Sequence, residues 1–416
     1  MLSVTIVFLL FSAVVFFGYI LYALFERIRI AVVLPLMLIG FIVGPLLGLV
    51  GTSPDSTVVQ LAPYITAIAI AFVLFDVGMN IRLSKLEKVI VKATEFTFAL
   101  AIVTGIISGT AIFFVTHWNI IIAFICGFAI AGPSSVILPT IMKITKANER
   151  LKSALVFESV VTDSVQLIIP IILFTMMQSN NINFSSAFAM LFNFFVSSTF
   201  FGILSALFWV FILKRFRQYS ESYSWMLTMT MVVATYGVAS SIGLSGAVST
   251  FVFGMAIANM PYIDILKDYV YDIKKEFIHI KDYQKEITFF VSTFFFVYIG
   301  VLFQIGQATP VVIAAALLVS VIILLLRPLF IPIIGEFFNR ESRGSEKVLA
   351  SFDVARGLSP TIVATMPVAL GIVIPGFVDT IFLIILFTNI IATTGLFLYA
   401  GKAKAERIKI VRKPHR

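Results

Sequence analysis

Long apolar stretches recur along the chain, divided by short polar connections. Each holds roughly the twenty residues that a helix needs to cross the hydrocarbon of a bilayer. Helical spans are expected near 4–24, 30–50, 60–79, 93–116, 119–141, 152–177, 186–213, 223–242, 244–260, 287–305, 309–335, 348–374 and 376–400, thirteen in all. The first is too long for the apolar core of a signal peptide and no Lys or Arg precedes it, so a retained span is expected there. One connection stands out by length. Between 261 and 286, Ile263, Leu266, Val270, Ile273, Phe277 and Ile280 follow a 3,4,3,4,3 spacing. That spacing predicts one helical stripe, read as an amphipathic helix on the cytoplasmic membrane surface; a regulatory or dimer contact is the alternative.

Composition supports the spans. Of 416 residues 60% are hydrophobic and 12% charged, with a mean hydropathy of +1.06, whereas soluble chains carry about a quarter charged residues. This excludes a soluble globular protein. The net charge of +9 could suggest nucleic acid, but its placement points to topology. Every Lys and Arg except Arg327 and Arg356 lies in the connections after spans 1, 3, 5, 7, 9 and 11 or in the tail 401–416. Connections on the other side, such as "GTSPDSTVVQ", "THWN" and "GQATP", have none. The positive-inside rule then puts the N-terminus outside and the C-terminus in the cytoplasm, with the basic tail attracted to anionic headgroups. Cys126 is the single cysteine, so an intrachain disulfide or a thiolate metal knuckle is excluded.

Two spans carry helix breakers at their centres. Span 5 contains "IAGPSSVILP" and span 12 contains "VARGLSPTIV"; Pro lacks the N–H that the helix ladder needs, and Gly frees the backbone. They are seven spans apart, an odd offset that reverses orientation. The expected architecture is therefore an all-α polytopic membrane protein with two inverted six-helix repeats, about 1–178 and 223–400, joined by a linking helix near 186–213. Paired discontinuous helices at matching positions mark a transporter's binding site. Gly132, Pro133, Ser134, Ser135, Gly357 and Ser359 would line it.

Ionisable residues inside a span are costly and therefore candidates for function. The deep ones are Asp76, Glu158, Asp163, Arg327 and Arg356, with Asp353 nearer a span end; Glu95 and Asp379 fall near the interfaces, where solvation is expected. Five residues apart on a helix, Glu158 and Asp163 point roughly 140° from each other. One carboxylate can then serve as a structural counter-ion and the other can take an ion. Arg327 is the natural partner of the structural one, because an unpaired guanidinium in lipid is very costly. A competing pattern, "GLSG" at 243–246, matches the Gly-x-Ser-Gly of rhomboid-type proteases. However, His117, His279 and His415 fall in connections or the tail, away from any serine that needs a general base.

The charged residues resemble those of the monovalent cation/proton antiporters, most closely the electroneutral Na+/H+ branch. The family's Glu-Ser-x-x-Asn-Asp motif in span 6 corresponds to Glu158, Ser159, Val160, Val161, Thr162 and Asp163; "FVLFDVGMNIRLSKL" resembles its third span and places Asp76 near the ion path. Arg327 of "LLRPLF" looks like the span-11 Arg that pairs with the motif Glu, and Arg356-Gly357 looks like the break of span 12. The likeness covers essentially the whole chain.

The resemblance implies exchange of a monovalent cation, most naturally Na+, for H+ at Asp163. Thr162, Ser159 and Asp76 would be further ligands, Glu158–Arg327 a structural ion pair and Arg356 an accessory charge. It also implies a homodimer in the cell membrane, spans 4–6 and 11–13 as an ion-carrying core, and no cofactor beyond the transported cation and proton. A K+/H+ antiporter or a sodium-coupled solute symporter on the same fold is the alternative, and neither an enzymatic activity nor a nucleic-acid partner is expected. Two departures stand out. Ala131 and Gly132 precede Pro133 where the family reads Thr-Asp-Pro, and Thr162 replaces the Asn before the motif Asp.

Overall fold

The computed structural model describes residues 12, 16–20, 33–49, 56, 60–80, 88–134, 138, 145, 147–178, 184–215, 224–262, 274–338 and 343–411. Helices account for nearly all of it, as a bilayer demands of a chain that must satisfy its own backbone. In order they are α1 (Val33–Phe41), α2 (Ala62–Asn80), α3 (Lys88–Thr116), α4 (Ile120–Ala129), α5 (Glu149–Gln178), α6 (Phe184–Arg215) and α7 (Ser224–Ser241). They continue with α8 (Gly246–Asn259), α9 (Lys274–Leu302), α10 (Pro310–Phe330), α11 (Arg343–Ser351), α12 (Leu358–Ala369) and α13 (Phe377–Val411). A π-helical turn at Ile42–Leu46, holding Pro45, extends α1. Among the described residues, six helices are both long and apolar enough to cross a membrane. Most of the first expected span lies outside the described residues.

The chain folds as two compact units. The first comprises 1–62, 87–170 and 293–416; the second comprises 63–86 and 171–292. In the first, Phe96, Leu151, Leu155, Phe337, Leu349 and Tyr399 belong to one buried apolar cluster. There α3 and α4 pack backbone against backbone, since a Cβ on Gly127 would strike the carbonyl of Gly105 and the backbone of Gly109. Small residues permit this close approach of membrane helices. The second unit centres on Phe75, Trp209, Phe253 and Ile257. Its α2 and α8 meet in the same way, with Gly254 against the Phe75 carbonyl.

Two expectations change, and the tail gains a structure. The stretch 274–286 is no separate surface helix but the first turns of α9, which runs unbroken from Lys274 to Leu302. No Gly or Pro falls between Ile263 and Ile299 to stop it. Ile280, last of the apolar stripe, is fully buried in the second unit's core, which corrects the surface reading at that residue; Ile263, Leu266, Val270 and Ile273 and the Phe277 side chain lie outside the described residues. The described part of the basic tail is helical, because α13 continues to Val411 through strong helix formers. Glu406 there accepts hydrogen bonds from Ser345 Oγ at 2.6 Å and Ser345 N at 3.1 Å, in the first turn of α11. Finally, Asp379 is 2% exposed and not solvated. Its Oδ1 accepts the Gln304 N–H at 2.6 Å, anchoring the connection before α10 to the start of α13.

Candidate functional site

Both expected breaks are present. Helix α4 ends at Ala129, residues 130–134 are not helical, and the Leu138 N–H donates to the Ser134 carbonyl at 3.0 Å. Residues 352–357 separate α11 from α12 without forming helix. The breaks are tied to each other. Ser134 N donates to the Ala355 carbonyl at 2.9 Å, and Arg356 Nε donates to the Ile130 carbonyl at 2.7 Å. Each interrupted helix exposes carbonyls at its C-terminal end, the negative pole of its dipole. A guanidinium meets each of them: Arg356 at Ile130 beyond α4, and Arg327 through Nε at Ala350 in the last turn of α11. Asn389 of α13 holds the break from behind, its Nδ2 donating to the Arg356 carbonyl at 2.7 Å and to the Ile385 carbonyl at 2.8 Å.

Helix α5 presents its two carboxylates to different surroundings. Glu158, fully buried, receives Arg327 Nη1 and Nη2 on its two oxygens, each at 2.8 Å. Arg327 Nη2 also reaches Asp353 Oδ2 at 2.8 Å, and the guanidinium carbon lies 5.9 Å from the centre of the Phe96 ring. Two acids thus share one cation, and Arg356 is within Coulombic reach of both and of Asp163. Asp163, on the other face, is 4% exposed and accepts the Ser359 hydroxyl on Oδ1 at 2.6 Å. Ser359 stands in the first turn of α12, where free N–H groups and the helix dipole favour a negative charge.

The remaining candidates divide. Ser159 and Thr162 are buried beside Asp163. The Thr162 hydroxyl donates to the Glu158 and Ser159 carbonyls at 2.9 and 3.2 Å, leaving its lone pairs as acceptors. Gly132 packs directly on Thr162, so that a Cβ at 132 would collide with Thr162 Cβ and Oγ1. The two departures from the family pattern therefore share one space: a side chain at 132 does not fit beside Thr162. Gly132, Pro133, Ser134, Gly357 and Ser359 are all buried at the breaks, while Ser135 lies outside the described residues. Asp76 belongs to the second unit, where the Asn80 amide donates to its carbonyl at 2.9 Å and to its Oδ1 at 3.3 Å.

Sequence reasoning counted Asp353 among the intramembrane candidates without a partner, and passed over Asn389. A signal existed for each: an acid three residues before Arg356 in a broken segment, and an Asn within the apolar run of span 13. The serine of "GLSG" is a helix cap, its Oγ accepting the Val248 N–H at 3.2 Å and its N–H donating to Ser198 Oγ at 2.9 Å.

The fold is similar to that of a solved transporter. The sodium proton antiporter MjNhaP1 from Methanocaldococcus jannaschii, in a structure at pH 8, superposes with a TM-score of 0.74 at 18% identity, covering 96% of this chain and all of that one. An electron-microscopy structure of the same antiporter gives 0.67 at 19% identity, with both chains fully covered. At that identity the likeness speaks for the fold. The family model for the sodium/hydrogen exchanger, transmembrane, matches residues 12–402, nearly the whole chain and both broken helices, and the chain belongs to that family.

Proposed function

We propose that this sodium/hydrogen exchanger works by competition between one Na+ and one H+ for the carboxylate of Asp163. The observation that carries the reading is the unequal treatment of two acids on one helix. Glu158 is bound through both oxygens by Arg327, whereas Asp163 receives a neutral hydroxyl from Ser359 beside the start of α12. A carboxylate held by a bidentate guanidinium is a poor ion carrier, because releasing it strands a buried charge. The hydroxyl on Asp163 is a neutral donor, which the carboxylate can keep or release as it exchanges a cation for a proton.

Alkali ions, like other hard cations, take oxygen ligands. Ser159, Thr162 and carbonyls freed at the two breaks supply oxygens in addition to Asp163. With Glu158 neutralised by Arg327, a single exchanging carboxylate gives electroneutral one-for-one exchange. The same reading makes the protein a homodimer in the cell membrane, N-terminus outside and C-terminus cytoplasmic.

Purified protein in proteoliposomes carrying an internal pH dye tests the proposal. Addition of Na+ without organic solute is expected to drive proton flux in the wild type and none in Asp163→Asn. Unchanged flux in Asp163→Asn would move the site elsewhere. A strict need for an organic solute would favour a symporter, and flux driven by K+ but not Na+ would favour the K+/H+ alternative.

A further inference from the structure

One buried side chain near the proposed site has no role in the scheme above. Gln166 of α5 is 1% exposed, yet neither its Oε1 nor its Nε2 has a hydrogen-bond partner among the described residues. Among those residues it is the one side chain with both ends in this condition. Buried amides are rarely left so, because the lost hydration is not recovered.

Its position on the helix is informative. At about 100° per residue, Ser159, Thr162, Asp163 and Gln166 fall within one face roughly 100° wide, and all four are buried. Gln166 is one turn beyond Asp163, the separation at which helical side chains meet. A second feature adds an oxygen at the same level. Pro170, inside α5, has no N–H to donate to the carbonyl four residues earlier, which is that of Gln166. One residue therefore brings two oxygens that α5 leaves without its usual donor, an amide oxygen and a peptide carbonyl.

We propose that Gln166 is a cation ligand and selectivity residue of the Asp163 site, an inference that rests on the assignment of Asp163 above. Its amide oxygen suits both states of the exchange. It coordinates the cation when Asp163 is ionised, and accepts the carboxyl O–H when Asp163 is protonated. Being neutral, it adds a ligand without adding a charge, so the one-for-one balance is kept.

The experiment measures cation-driven proton flux in proteoliposomes across Li+, Na+ and K+ for the wild type, Gln166→Met, Gln166→Asn and Asp163→Asn. Met keeps the length and volume of Gln without a strong oxygen ligand. Gln166→Met is expected to raise the half-saturating Na+ concentration about tenfold, as loss of one ligand-strength contact does, and to change the ratio of the Na+ and Li+ values. Gln166→Asn, whose amide is withdrawn by one carbon, is expected to fall between. The rise in melting temperature on adding Na+, read in detergent, should shrink in the same order, and this readout serves even if a variant transports poorly. Unchanged half-saturation and unchanged cation order in a folded Gln166→Met would overturn the inference, including the case in which Gln166 merely holds a water. If Gln166→Met fails to fold, a Gln166→Asn protein with wild-type cation ratios overturns it instead. Asp163→Asn separates the two ideas: retained Na+-driven flux there rejects the Asp163 site itself, whereas lost flux with unaffected Gln166 variants rejects only the role of Gln166.

Discussion

Close glycine contacts join helices in both units, and the first adds polar clamps on broken helices. In the second, α2 and α8 approach until Gly254 rests on the Phe75 carbonyl, and Trp209, Phe253 and Ile257 close an apolar core. In the first, the helices at the site are broken, and their loose ends are held by Arg327, Arg356 and Asn389. Continuous helices satisfy their own backbone and need only shape to associate. Interrupted ones need polar partners in a medium that supplies none. The difference teaches where function can sit: the buried guanidinium groups of Arg327 and Arg356 are met by carbonyls at the ends of broken helices.

Substitutions that remove a charge from the first unit or a close contact from the second probe this contrast. The largest effect on stability is expected from Arg327→Leu, which strands Glu158 and Asp353 together without their shared cation. Breaking one partner of a buried pair costs about 3–5 kcal/mol, so a large drop in melting temperature in detergent is expected; an unchanged value would mean the acids are not charged partners of Arg327. In the second unit, Gly254→Val pushes a side chain into the Phe75 carbonyl and is expected to destabilise by about 1–3 kcal/mol, measured the same way. A neutral outcome would mean α2 and α8 can separate freely. Smallest is Ser359→Ala, which deletes one hydroxyl on Asp163. It should leave folding within about 1 kcal/mol and shift the half-saturating Na+ concentration several-fold in the flux assay. Loss of folding here would assign Ser359 to the scaffold.

Much of this was legible in the chain. Apolar run length dictated helices, and the positions of Gly and Pro in "IAGPSSVILP" and "VARGLSPTIV" predicted the interruptions, since both effects are local to the backbone. The meeting of Glu158 with Arg327 was foreseeable because a guanidinium in lipid must find an anion. The burial of Asp379 was not. A carboxylate near a span end looks solvated until the Gln304 N–H, 75 positions earlier, is brought to it. The continuity of α9 was likewise hidden by composition, as charged residues 274–286 suggested a surface although nothing in them interrupts a helix.

The sequence by itself determined a polytopic helical membrane protein with two broken spans and two acids on opposite faces of one helix. These follow from hydropathy, from the missing N–H of proline and from the helix period. Only the tertiary structure decided that Asp353 shares Arg327 with Glu158, that a side chain at Gly132 would collide with Thr162, and that Gln166 is buried without a hydrogen-bond partner among the described residues. Each is a relation across helices or a balance of hydrogen bonds. Such relations exist only after packing has removed the water that would otherwise satisfy every polar group.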